Sequence, residues 1–261
     1  MFILLPLAIV LLTVRPAVGQ DGSAAQRGTP RDYSIEAGVA IGSYPDETAH
    51  SEFASLAVSR PFKDTWRFSA SHDKRFENSG IGLGAGYSRY WSSGYNISVG
   101  LSTGTSEGIH PRYAIGLTGG KNVLPNLLVS VSYLRWQSRI DSRSDGFMVG
   151  ATWYALAHWI VGGGFRADLG QPGSQWSFSG DFGVTYAVYR NTYIGLGVTF
   201  ADVAYLPALN PPGASVVEYS ASSFRVSASK FINPTMGLSA MFDYSPFWDS
   251  TWLTFRFFKD L

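Results

Sequence analysis

The chain has 261 residues, 45% of them apolar, yet only 15% charged, with 15% aromatic, 29 glycines and a formal net charge of +1. A typical soluble domain carries about 25% charged residues, so this surface is unusual, while the wealth of aromatics argues against disorder. Cysteine is absent, which removes disulfides, thiolate nucleophiles and cysteine-based metal sites, and the near-neutral charge gives no support to nucleic-acid binding or to polybasic attachment at a membrane surface.

The first element is the apolar run from Phe2 to Val14, followed by Ala17-Val18-Gly19. This is the pattern of a secretory signal peptide covering residues 1–19, with a small-x-small cleavage site. The run is short for a membrane-spanning helix, which needs about 20 apolar residues. No Lys or Arg precedes it, so the amino terminus alone supplies the positive charge. Losing this segment removes Arg15 from the 20 basic residues and leaves 19 against 19 acidic ones. Residues 20–31, QDGSAAQRGTPR, are small and polar and read as a flexible linker.

From Tyr33 onward the period is two, in fourteen alternating segments with no helical run among them. Tyr33, Ile35, Ala37, Val39 and Ile41 oppose Ser34, Glu36, Gly38, Ala40 and Gly42. Ile81, Leu83, Ala85 and Tyr87 oppose Gly82, Gly84, Gly86 and Ser88. Trp176, Phe178, Phe182, Val184 and Tyr186 oppose Ser177, Ser179, Asp181, Gly183 and Thr185. After the even segments come tight turns such as Phe62-Lys63-Asp64, Ser92-Ser93-Gly94 and Ile232-Asn233-Pro234. After the odd segments the connections are mostly longer and more polar, the longest being 202–218. Short turns at one end and long loops at the other describe an up-and-down meander with two unlike rims, as in transmembrane barrels.

A soluble sandwich or small barrel turns its bulky apolar residues inward. Here the opposite face is crowded with Gly, Ser and Thr and scattered charges, which suits a wet interior, while Phe, Trp, Tyr, Leu and Val suit lipid. Backbone inside a bilayer must be fully paired, and without helices only a closed barrel achieves that. The expected fold is therefore an all-β, closed antiparallel transmembrane barrel over residues 32–258, of about fourteen strands, with twelve as the alternative given boundary error. Phe62, Trp66, Tyr90, Trp91, Tyr154, Trp159, Tyr189, Tyr193 and Phe231 flank the short turns, where an interfacial aromatic girdle is expected.

Three short-turn hairpins rhyme: AVSRPFKDTWRFSAS, AGYSRYWSSGYNISVG and SASKFINPTMGLSA. Each places Ser-Arg or Ser-Lys before an aromatic, a tight turn and a new alternating strand. The chain resembles the YaiO-type outer-membrane barrel family over about residues 32–258. The resemblance implies a location in the outer membrane, contact with its lipid and insertion by the barrel assembly machinery. It carries no reaction and no catalytic residue. Such barrels usually end on an aromatic that the assembly machinery reads. Here Phe255, Phe257 and Phe258 are followed by Lys259-Asp260-Leu261.

Strand parity puts Glu36, Arg67, Arg166, Asp181, Arg225, Asp243 and Arg256 on the inward face. They read either as salt bridges that brace the wall or as a pore lining that sets selectivity. A lumen of about fourteen strands lies between filled eight-stranded barrels and aqueous sixteen-stranded porins, so a narrow polar channel is physically allowed, with the Pro-rich 202–218 segment as a candidate plug. The four histidines, His50, His72, His110 and His158, sit near the rims with no serine-nucleophile motif beside them. Gly82-x-Gly84-x-Gly86 is followed by no helix and so is no phosphate cradle. Asp141 to Gly146 imitates the start of a calcium loop but has Thr152 where the bidentate Glu belongs. No catalytic residue, metal site or cofactor is expected. The leading reading is a narrow polar channel for a small solute or envelope saccharide. The alternatives are a closed barrel with partner-binding surface loops and, behind it, a membrane-embedded hydrolase.

Overall fold

A computed structural model describes residues 33–45, 47–60, 64–75, 78–106, 110–139, 142–155, 158–171, 174–188, 191–205 and 217–261. The signal peptide and linker expected over 1–31 lie outside these residues. Fourteen strands follow in chain order: β1 Tyr33–Tyr44, β2 Glu47–Arg60, β3 Asp64–Arg75, β4 Asn78–Tyr90, β5 Tyr95–Gly104, β6 Tyr113–Leu124 and β7 Leu127–Gln137. The second half consists of β8 Arg143–Ala155, β9 Trp159–Gln171, β10 Gln175–Val188, β11 Thr192–Tyr205, β12 Val217–Asn233, β13 Met236–Ser245 and β14 Ser250–Asp260. Each strand pairs antiparallel with its chain neighbours, and β1 closes on β14 to complete a barrel.

The seam is as regular as the rest. Its register runs from Ser34 opposite Asp260 to Ser43 opposite Thr251, and the Leu261 amide donates to the Tyr33 carbonyl at 2.9 Å. Lys259 and Asp260, which follow the expected terminal aromatics, are thus part of β14 and are paired. Closure leaves no edge, which is the condition for a sheet to sit in hydrocarbon.

The alternation decides which face meets lipid. Among the described residues no large side chain is fully buried, and many bulky apolar groups are exposed, among them Leu196 at 62%, Phe165 at 57% and Val131 at 57%. A water-soluble domain of this length would bury such side chains. Here they form a continuous outward band, which only lipid satisfies.

One rim carries the six short connections, from β2–β3 at 61–63 to β12–β13 at 234–235. At the other rim the first two connections, 45–46 and 76–77, are equally short, and the longer ones begin only with β5–β6 at 105–112. The long loop expected over 202–218 is shorter than that. Asp202 pairs with Ser220 and Tyr205 with Val217, because the alternation continues through Asp202-Val-Ala-Tyr205 until Pro207, which cannot donate to a ladder. The remaining 206–216, the candidate plug, lies outside the described residues.

Close packing inside the wall is local and depends on glycine. Phe258 on β14 turns inward, is 8% exposed, and packs edge-on against Phe231 with ring centroids 5.1 Å apart. A Cβ at Gly237 would overlap that ring and stand 2.7 Å from the Lys230 carbonyl oxygen. Gly237→Ala is expected to lower barrel stability by about 1–3 kcal/mol, the usual cost of overpacking, read from urea unfolding in lipid vesicles. Gly116→Ala, whose new methyl would find nothing nearer than Leu134 Cδ1 at 3.8 Å, is the control expected to unfold at unchanged urea.

Candidate functional site

The inward face of the barrel has two unlike walls. One runs over β9, β10, β12, β13, β14 and β1 and carries charge. Arg225 and Asp243 are cross-strand partners, and Arg225 Nε donates to Asp243 Oδ1 at 2.6 Å. Gly197 stands opposite Arg225 on the other side. Arg166 Nη2 donates to Asp168 Oδ1 at 2.5 Å, and the Ser144 hydroxyl bonds the same oxygen at 3.3 Å. Gly146 makes that pair fit, since a Cβ there would overlap the carboxylate and stand 2.9 Å from Arg166 Nη2. Arg256 Nη1 lies 3.5 Å from Glu36 Oε1, and its guanidinium stands 5.6 Å above the Phe53 ring.

The structure therefore brings six of the seven parity-selected charges onto one wall, five of them in ion pairs, Glu36 with Arg256, Arg225 with Asp243, and Arg166 with Asp168; the sixth, Asp181, stands on β10 opposite Gly164. Arg67 on β3 stands apart from that wall, opposite Gly86 on β4. Asp168 was missed, although it shares the parity of Arg166 two residues earlier. The pairs differ in wetness: Arg225 keeps 41% of its side chain exposed and Asp243 20%, while Arg166 and Asp168 keep only 13% and 14%. A partly exposed ion pair such as Arg225–Asp243 contributes about 0–1 kcal/mol.

The opposite wall, β4 to β6, is built of small, uncharged residues over most of its height. Gly86, Gly100 and Gly116 line up across three strands. A Cβ at Gly86 would meet nothing nearer than the Val99 carbonyl oxygen at 3.5 Å. Around this row stand hydroxyls, with Thr118 Oγ1 and Ser132 Oγ bonded at 2.9 Å. Glycine at Gly86 and Gly116 is thus not forced by a neighbouring atom, and its effect is to leave interior space unfilled.

The short-turn mouth corrects one expectation. Trp66 and Trp159 do face outward and pair with Tyr87 and Tyr186, at centroid distances of 4.7 and 4.5 Å. Tyr90, Tyr154, Tyr193 and Phe231, however, share the inward parity of their strands. Tyr193 packs on Phe231 at 5.9 Å, and Phe231 on Phe258. Proximity to a turn does not fix which face a residue occupies, so part of the expected lipid girdle is an aromatic collar inside the mouth. Trp91 stays exposed in its turn, with Arg89 5.3 Å from its ring. Phe62 and Tyr189 lie outside the described residues.

At the other rim the β5–β6 connection turns inward. His110 is 12% exposed, and its Nε2 lies 3.2 Å from Asp73 Oδ2, an ion-pair separation whose angle is poor for a hydrogen bond. A Cβ at Gly80, Gly82 or Gly104 would overlap or crowd the His110 ring or its neighbour Ser106. The Ser71 hydroxyl donates to Asp73 at 2.8 Å, onto the carboxylate and not the imidazole. Arg139 donates to the Gly104 carbonyl, which ties the next loop to the same place. Sequence distance hid this contact, yet Asp73 has the same inward parity as Arg67. Asp145 of the calcium-like run is engaged otherwise, accepting from the Tyr133 hydroxyl at 2.6 Å and lying 3.7 Å from Arg135. Asp141 lies outside the described residues.

A closed fourteen-stranded sheet, apolar outside and polar within, defines an outer-membrane β-barrel of channel-like architecture. The YaiO membrane beta barrel domain matches residues 32–206, and the chain belongs to that family. Solved structures share the fold at low identity. The outer membrane protein Omp33 of Acinetobacter baumannii is 13% identical, with 88% of this chain and 98% of that one covered and a TM-score of 0.51. The CymD monoaromatic hydrocarbon channel is 10% identical over 88% of this chain and 89% of its own, with a TM-score of 0.62. The NanC porin is 9% identical over 87% and 98%, with a TM-score of 0.53. No curated protein matches the sequence. The outer membrane is where this barrel resides.

Proposed function

We propose that the barrel is a narrow polar channel whose charged wall and aromatic collar conduct a small polar solute, with an envelope saccharide as the favoured class. The observation that carries this reading is the two-walled interior: ion pairs on β9 to β1, of which Arg225–Asp243 and Arg256–Glu36 are partly exposed, face the glycine row of β4 to β6. Bracing alone accounts poorly for the partly exposed Arg225–Asp243 and Arg256–Glu36 pairs, because such pairs add little stability, while glycines with room for a methyl hold space open. Glu36, Arg67, Arg166, Asp181, Arg225, Asp243 and Arg256 are the lining groups on this reading. The hydroxyls and ion pairs offer hydrogen bonds to a polyol, and the faces of Tyr193 and Phe231 suit the apolar faces of a sugar ring. Two proteins of similar fold are named as a porin and a channel, which agrees with a conducting role.

On the same reading residues 1–19 export the chain, 20–31 trail as a linker, and the barrel assembly machinery engages β14 through Phe255 and Phe257. The test is planar-bilayer recording of purified protein. Discrete conductance steps are expected, and they should shrink for Gly116→Trp, which fills the open row. Oligosaccharide added to one side should block those steps transiently. Silence at every voltage and salt would defeat the channel, and unblocked steps would remove the saccharide.

A further inference from the structure

The outer surface holds a group of side chains that no part of the channel uses. His50 and Glu52 are two residues apart on β2 and so share a face. That face is the outer one, since their cross-strand partners on β1 are Ile41 and Val39, both exposed apolar residues. Glu52 is directly opposite His72 on β3. His72 Nδ1 lies 3.1 Å from Glu52 Oε2, and one ligand atom from each of His50, Glu52 and His72 falls within 4.8 Å of the others.

We propose that His50, Glu52 and His72 form a binding site for a divalent late-transition cation of the zinc class on the lipid-facing side of the barrel. Two imidazoles and one carboxylate are the donor set of open zinc sites, in which a fourth position is left for water or an added ligand. Bonds of about 2.0–2.1 Å to a tetrahedral ion place neighbouring donors about 3.3 Å apart, close to the separation already present between His72 and Glu52. Imidazole nitrogen excludes calcium and magnesium as the preferred ions.

A second observation points the same way. A carboxylate on the outer face of a barrel is costly towards the bilayer centre. Glu52 stands only a few residues below the rim, level with exposed Val39 and Ile81. At that depth a bound cation would neutralise it more fully than a neutral imidazole can. The open position would then face the headgroup layer.

The experiment is titration of the folded protein in detergent micelles with Zn²⁺ by calorimetry, and with Co²⁺ by its visible absorption. One equivalent of Zn²⁺ is expected to bind, and Co²⁺ should give the intense band of a tetrahedral site. His50→Ala and His72→Ala should each weaken binding at least about tenfold, since even the loss of an outer partner of a ligand costs about 10–100-fold. The isosteric Glu52→Gln should weaken it without disturbing the wall. His110→Ala and His158→Ala should leave it unchanged. Absence of binding to the wild type overturns the site, as does binding that survives in the His50→Ala/His72→Ala double variant. Because His50, Glu52 and His72 stand on the outer face of a regular ladder, circular dichroism should show their variants folded.

Discussion

Leu117→Arg is expected to destabilise the barrel in a lipid bilayer by about 2–4 kcal/mol, the cost of a guanidinium on the lipid face near the midplane, while Gly116→Arg next to it leaves stability within about 1 kcal/mol. The two positions are adjacent near the middle of β6, and they differ only in the face they occupy. Leu117 is exposed on the outside at 44%. Gly116 belongs to the inward glycine row, with its nearest prospective contact 3.8 Å away. Urea unfolding of both variants in the same vesicles gives the difference directly. Equal losses would mean that the two faces do not meet different solvents, and a larger loss at Gly116 would invert the barrel. Both outcomes would undo the channel as well, since a lumen that does not tolerate a charge is not wet.

That contrast explains why the fold was legible in the sequence. Period-two alternation encodes strand and face together, so Leu196, Phe165 and Val131 announce the lipid side and Gly86, Gly100 and Gly116 the other. The strand count followed from turn spacing, and the closed fourteen-stranded sheet agrees with it. What parity cannot supply is rotation around the barrel. Nothing in the order of residues says that Glu36 on the first strand meets Arg256 on the last, because that contact exists only once the seam closes.

Connections were less legible than strands. Asp202 to Tyr205 looked like loop because the segment ahead is proline-rich, yet the ladder continues until its donors run out. His110 looked like an ordinary rim histidine, since a loop that bends inward leaves no periodic trace. The cation cluster was hidden for another reason. His50 and Glu52 are neighbours in sequence, but His72 joins them only through the β2–β3 register, and an outward parity at polar residues was not weighed as a signal. Tyr193 and Phe231 show the opposite lesson. Aromatic residues near a turn are not all girdle, and their parity, which was available, assigns them to the interior.

The charge wall yields the second large effect. Arg225→Gln is expected to shift the channel towards cations and Asp243→Asn towards anions, each by about fivefold in the permeability ratio. The sign follows from the partners: removing Arg225 leaves the Asp243 carboxylate uncompensated, and removing Asp243 leaves the Arg225 guanidinium uncompensated. The size follows from Coulomb's law, since a unit charge at about 4 Å in a water-like medium is worth about 1 kcal/mol, close to a fivefold ratio. Both variants should fold, because a half-exposed pair contributes about 1 kcal/mol or less. Reversal potentials across a salt gradient read the ratio. The shifts should be largest at about 0.1 M salt, where the screening length is about 10 Å, and fade at about 1 M, where it falls to about 3 Å. Shifts of the same sign in both variants, or none at low salt, would show that permeating ions do not pass this pair, and would leave it only the bracing role.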